Sequence, residues 1–175
     1  PGTVYKWDGR NVNAGGVTTF SKHAVVSENR LTPLPSSIDL RTAIVLGCAP
    51  PTGMGAVLNV ATPKPNESLA VFGVGGVGLF AIAAGVAEKC TPVIAIDRLP
   101  NKLKMASDLG ATHCINASEQ DVTEELAKIC PGGLYHAIEA TGITDVMANA
   151  LSSVRAQGGK CVIIGNAHQG FCKTH

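Results

Sequence analysis

From Leu69 onward the apolar positions fall into short continuous runs, separated by longer stretches in which they recur at helical spacing. Runs of the first kind, rich in Val, Ile and Ala, suit strands buried on both faces, and stretches of the second kind suit helices laid over them. The pattern predicts strands over 69–73, 92–97, 112–116, 134–140 and 160–165, with helices over 76–88, 100–110, 121–129 and 143–156. Local chemistry supports the helices. Pro100 stands where a first-turn proline is tolerated, and Gly110 is a natural C-terminal stop. Ser118 and Asp121 suggest a capping arrangement ahead of Val122, Leu126 and Ile129, which form one apolar stripe. Met147, Leu151 and Val154 share a face of the last helix. Strands alternating with helices imply an α/β fold, a Rossmann-type parallel sheet with helices on both faces.

Before residue 69 the pattern is less regular. The opening PGTVYKWDGRNVNAGGVTTF is polar and turn-rich, while FSKHAVVS, residues 20–27, alternates well enough for one strand. Pro33 and Pro35 then punctuate the chain. The first ~37 residues carry too little apolar content to offset their ordering entropy and are not expected to fold alone. Asp39 is placed to cap a short helix, LRTAIVLG, ending near Gly47, and MGAVLNVA, with Met54, Val57, Leu58 and Ala61 at helical spacing, predicts another.

Composition narrows the partners. A chain of 175 residues can hold one good core, or one domain and a piece of another. A net charge of +1 without a basic run gives no electrostatic case for nucleic acid or an anionic membrane. The chain opens without an apolar signal segment. Its six cysteines, Cys48, Cys90, Cys114, Cys130, Cys161 and Cys172, form no CxxC and mostly sit in or beside apolar runs. They read as the reduced thiols of a cytoplasmic protein.

The candidate chemistry lies between Leu69 and Asp97. The run LAVF leads into Gly73-Val74-Gly75-Gly76-Val77-Gly78, a helical AIAAGVAEK follows, and a second apolar run closes on the acid Asp97. This is the layout of a dinucleotide site. Gly73 permits the strand-to-helix turn, Gly75 lets the main chain approach a pyrophosphate, and Gly78 lets the helix lie close on its strand. Backbone N–H groups at the helix start face the phosphates, and Asp97 can accept hydrogen bonds from the ribose hydroxyls of NAD.

Plainer readings stand beside this one. Residues 69–87 carry no charge and formally reach membrane-spanning length, although the glycines interrupt them. A glycine-rich packing turn without a ligand is the other alternative. Arg98 could meet a 2′-phosphate, but Asp97 would repel it, which favours NAD over NADP. Glu139, near a strand end, is either catalytic or a structural hydrogen-bonding group, with the structural role favoured. His23, His113 and His136 read as strand or surface residues. His168, Cys172 and His175 have no trusted ligand spacing and read as a tail.

Taken together, GCAPPTGMGAVLN, AVFGVGGVGLFAI, AIDRLPNKLKMASDLGATHCIN, IEATG and CVIIGNA occur in an order that resembles the medium-chain, zinc-dependent alcohol dehydrogenases over residues 17–168. GATHCIN and the sequence around Asp121 are most similar to the aryl or benzyl alcohol branch. The resemblance implies that Gly73, Val74, Gly75, Gly76, Val77 and Gly78 form the pyrophosphate loop, with Val77 against the nicotinamide ring. It implies that Asp97 and Lys102 flank the adenosine ribose. Thr52, Thr141, Ile164, Gly165 and Asn166 match positions near the nicotinamide half. Cys48 matches one protein ligand of a catalytic zinc, which with an open position would lower the pKa of a bound alcohol. Without its partners Cys48 is a thiol at a helix start.

The resemblance places the other zinc ligands and the proton relay in an N-terminal segment that this sequence does not include, so the expectation is the central portion of a longer dehydrogenase. It divides the chain into residues 1–50, the end of a GroES-like catalytic domain, residues 51–168, the dinucleotide-binding domain, and a tail over 169–175. The implied activity is oxidation of a primary or aromatic alcohol to an aldehyde with NAD and zinc, in a homodimer or higher homo-oligomer. A non-catalytic dinucleotide-binding module and a zinc-free quinone reductase are the alternatives. A sheet ending at Cys161 to Gly165 leaves an apolar edge open to pairing, and the isolated polypeptide is expected to dimerise or aggregate.

Overall fold

Alternation of buried runs and helical stretches produces what the chain most needs, a sheet covered on both sides. The computed structural model describes residues 5–12, 22–24 and 26–167, which divide into two compact units, one up to Leu40 and one from Arg41.

In the first unit, β1 (Tyr5–Trp7) and β2 (Arg10–Val12) form an antiparallel hairpin with Trp7 opposite Arg10. Its two-residue turn, Asp8-Gly9, has positive φ at both positions, 49° and 74°. That is the backbone a tight hairpin requires, and Asp-Gly is the pair that adopts it most readily. The predicted strand over 20–27 is not observed: residues 22–24 and 26–27 are outside any strand, and the rest of that stretch lies outside the described residues. Alternation alone does not make a strand, which also needs a neighbouring ladder. A 3₁₀ turn, Glu28–Arg30, follows.

The second unit holds α2 (Ala49–Gly55), which follows the short α1 (Leu40–Val45) and continues into a π turn over Ala56–Ala61. The regular alternation then runs β3 (Leu69–Phe72), α3 (Gly76–Ala87), β4 (Val93–Asp97), α4 (Pro100–Asp108), β5 (His113–Asn116), α5 (Val122–Ile129), β6 (His136–Glu139), α6 (Thr144–Ser153) and β7 (Lys160–Ile163). The boundaries fall within three residues of those predicted. The uncharged stretch 69–87 resolves into β3 and α3, and no helix among the described residues is long and apolar enough to cross a membrane.

The five strands are parallel in the order β5-β4-β3-β6-β7. Side chains alternate across the sheet, so Leu69 and Val71 join Val74, Ile82 and Leu103 beneath α3 and α4, while Ala70 and Phe72 join Ile115, Leu126 and Ala150 beneath α5 and α6. Burying each large apolar side chain in such a core stabilises the fold by about 1.5–3 kcal/mol. Helix α3 lies close on β3 because Gly78 is bare, a Cβ there colliding with the Gly73 carbonyl oxygen. Asp121 caps α5, its Oδ1 accepting from the N–H groups of Thr123 at 2.8 Å and Glu124 at 3.0 Å. Ser118 takes no part in that cap and reaches Arg98 instead.

Candidate functional site

Strand order reverses at β3, where the chain goes to β4 on one side and to β6 on the other. In a doubly wound sheet this switch opens a crevice beyond the carboxyl ends of the strands. Here the crevice is a cleft of about 690 Å³, lined from β3 by Gly73, from β4 by Asp97, Arg98 and Leu99, from α4 by Lys102, and beyond β5 and β6 by Ser118, Thr141 and Ile143.

The glycine loop forms one wall. Gly73 has φ +87°, and a Cβ there would lie 2.6 Å from Thr141 Cγ2, so neither the backbone nor the space suits another residue. Gly75 differs, with an ordinary φ of −73° and nothing within 4 Å of a Cβ built on it. The protein itself gives no reason for glycine at 75, whereas a ligand backbone approaching that open space does. Val74 is fully buried, and its N–H donates to Asp97 Oδ2 at 3.0 Å. It is therefore removed from the free donors expected at the helix start. The first-turn N–H groups of α3, from Gly76 onward, have no helical acceptor and remain available.

Asp97 stands at the carboxyl end of β4. Its Oδ1 accepts from the N–H groups of Arg98 at 2.8 Å and Leu99 at 3.0 Å, and Lys102 Nζ lies 3.8 Å from Oδ2. These donors fix the carboxylate at the cleft mouth, filling Oδ1 and leaving a lone pair on Oδ2. Arg98 is turned to the rim, its Nε 3.4 Å from Ser118 Oγ.

The remaining predicted residues arrive from two directions. Thr141 and Gly142 follow β6, and Gly142, with φ +76°, packs so closely on Asn166 that a Cβ would lie 2.7 Å from its carbonyl oxygen. Ile164, Gly165 and Asn166 thereby sit beside Thr141, the Ile164 N–H donating to the Glu139 carbonyl at 2.8 Å. Cys48 and Thr52 belong to the first turn of α2, where the Thr52 N–H donates to the Cys48 carbonyl at 3.0 Å. Helix α2 rests directly on α3, the bare Gly53 against the Val77 carbonyl and Ala49 Cβ 3.7 Å from where a Gly76 Cβ would stand. Cys48 is exposed. Among the described residues no three His, Cys, Asp or Glu side chains converge, so those residues do not complete a zinc site and no step is derived through the metal.

Leu99, Ser118 and Ile143 line the cleft without having been marked as site residues in the sequence. Their only signal is position, one to four residues past a predicted strand end, which is where a crevice of this topology gathers its walls.

The sheet order, the open glycine loop and the acid at the end of the second strand define a dinucleotide-binding domain of the doubly wound class. A profile of the zinc-binding dehydrogenase family matches residues 76–173, more than half of the chain. The chain belongs to that family, among its medium-chain zinc-dependent alcohol dehydrogenases, which use NAD and zinc. It is 37% identical over 157 residues to S-(hydroxymethyl)glutathione dehydrogenase of Synechocystis sp., and 38% identical to that of Photobacterium damsela subsp. piscicida. The match covers 89% of this chain and 42% of each relative. The crystal structure of benzyl alcohol dehydrogenase from Acinetobacter calcoaceticus superimposes with a TM-score of 0.84 at 30% identity, over 91% of this chain and 43% of that one. The chain thus spans less than half the length of these relatives and corresponds to their NAD-binding domain.

Proposed function

We propose that the cleft holds NAD for a zinc-dependent alcohol dehydrogenase that oxidises a primary or aromatic alcohol to an aldehyde. The observation that supports it best is the empty space above Gly75 within a loop whose neighbours, Gly73 and Gly78, are demanded by the fold itself. In this reading Gly75, Gly76 and Val77 meet the pyrophosphate, Asp97 and Lys102 the adenosine ribose, and Thr52, Thr141, Ile164, Gly165 and Asn166 the nicotinamide half. Bound NAD supplies the hydride acceptor. The chain orients it by charge-assisted hydrogen bonds at Asp97 and by apolar contact with Val77. Cys48 contributes one zinc ligand, the others coming from outside the described residues.

The test is a fluorescence titration of the chain with NADH. Saturable binding is expected, weakened about tenfold by Asp97→Asn through the loss of a charged hydrogen bond. No saturation at millimolar NADH overturns the reading. Turnover of aromatic and aliphatic primary alcohols by the complete protein decides the substrate class.

We further propose assembly with a second copy through β7, which has one strand neighbour among the described residues and leaves Ile163 half exposed. Sedimentation at micromolar concentration should show a dimer or larger species, and a clean monomer refutes this. The five described cysteines are unpaired thiols, Cys90 being pushed up to about 11 by burial, which supports a cytoplasmic setting.

A further inference from the structure

Glu139 is a charged residue in a place built for a leucine. It ends β6 between Phe72 and Ile163 of the neighbouring strands and has no solvent exposure. Burying a carboxyl group this deep is costly, and donors around it offset that cost. Oε1 is crowded with donors, accepting from the N–H groups of Thr141 at 2.7 Å and Gly142 at 3.1 Å and from the Thr141 hydroxyl. Its main-chain carbonyl accepts from the N–H groups of Ile164 at 2.8 Å and Gly165 at 3.2 Å. Oε2 has no partner among the described residues and faces Gly165, where a Cβ would lie 2.5 Å away.

The main-chain bonds continue the β6–β7 ladder, as any residue here would. The side chain does something else: Oε1 holds Thr141 and Gly142 after β6, Oε2 packs on the bare Gly165 after β7, and Thr141 in turn lies against the bare Gly73. Asp97 shares no hydrogen-bond partner with Glu139; its donors come from Val74, Arg98 and Leu99.

We infer that Glu139 is the positioning residue of the nicotinamide half of the cleft: its buried carboxylate holds Thr141 and Gly142 through Oε1 and seats them against Gly165, as one shelf beside the glycine loop. This rests on the NAD reading given above. The adenosine half, organised by Asp97, is built separately and does not depend on it.

The experiment compares NADH with AMP, which occupies only the adenosine half, on the same 175-residue chain. Glu139→Leu keeps the packing volume and removes the acceptors. It should weaken NADH by about tenfold or more, the cost of unpairing several buried donors, with AMP affinity changed less than about twofold. Emission of the residual bound NADH should shift toward that of free NADH. Glu139→Gln, which retains an acceptor oxygen, should restore NADH affinity to within about threefold of the parent. Should Glu139→Leu fail to fold, Glu139→Asp, shorter by one methylene, should show the same selective loss. Equal loss of NADH and AMP, loss of neither, or a Gln variant as damaged as Leu overturns the assignment. A parent chain that binds neither ligand overturns the cofactor reading itself.

Discussion

The two ends of the sheet treat their polar groups in opposite ways. At the amino ends of the strands most of them pair with one another, His136 Nδ1 alone being buried without a partner among the described residues there. Ser68 Oγ accepts from the Tyr135 N–H at 2.9 Å, Glu67 Oε2 accepts from the Lys64 N–H at 2.9 Å and meets His136 Nε2 at 2.8 Å, and the Arg155 guanidinium lies 4.2 Å over the Tyr135 ring. Lys160 reaches back to close the π turn, donating to the Ala61 carbonyl at 2.8 Å and Thr62 Oγ1 at 2.9 Å. At the carboxyl ends, Gly75 opens on empty space, Asp97 Oδ2 keeps a spare lone pair at a cleft, and Glu139 Oε2 is buried without a donor among the described residues. One sheet therefore carries an end whose polar groups largely pair across it and an end that opens on a cleft.

The sharpest way to break that contrast is a pair of glycine substitutions within one loop. Gly75→Val should lower NADH affinity about 100-fold, ~2.7 kcal/mol, because the side chain fills the ligand's space, while leaving thermal stability unchanged. Gly78→Ala should do the reverse, destabilising the domain by about 3 kcal/mol as its Cβ meets the Gly73 carbonyl, and losing NADH only as the fold is lost. Equal stability losses in the two variants, seen in denaturant melts, would erase the distinction.

A smaller effect belongs to the amino ends of the strands. The hydrogen bond from His136, then that from the Lys64 N–H, holds the Glu67 carboxyl below the ordinary carboxylate range. A depressed acid stabilises the folded state above its unfolded pKa, and that contribution disappears as pH falls through the folded value. Glu67→Gln should therefore cost about 1 kcal/mol near neutral pH, with the difference from the parent shrinking once pH falls below the ordinary glutamate value of ~4.3 and lost below the lowered folded value, and NADH affinity unaltered. A constant difference across pH, or a weakened cofactor, would mean the two ends are not separate.

Much of this was legible in the residues. Residues 69–72 and 93–96 are uniformly apolar runs, and burial on both faces leaves such runs little alternative. The glycine loop and Asp97 announced themselves by spacing, and Asp121 by its place ahead of an amphipathic stripe. What escaped was of two kinds. The Asp8-Gly9 hairpin was readable from its turn pair but was masked by the polar strands around it. The expected strand at 20–27 rested on alternation alone, and joining a ladder is a tertiary fact. The π turn at 56–61 likewise follows from packing and from Lys160, nearly a hundred residues away in the chain.

The division between the two sources is physical. Local patterning by itself determined the α/β class, the element order and the position of the dinucleotide loop, because period, turn chemistry and glycine spacing act over a few residues. Only the tertiary structure decided that Val74 spends its N–H on Asp97, that Gly75 faces open space while Gly78 is pinned against the Gly73 carbonyl, and that Glu139 is buried with one oxygen on Thr141 and Gly142 and the other against Gly165. Hydrogen-bond partners and empty volume are set by chain segments brought together from far apart, and no short window of sequence contains both.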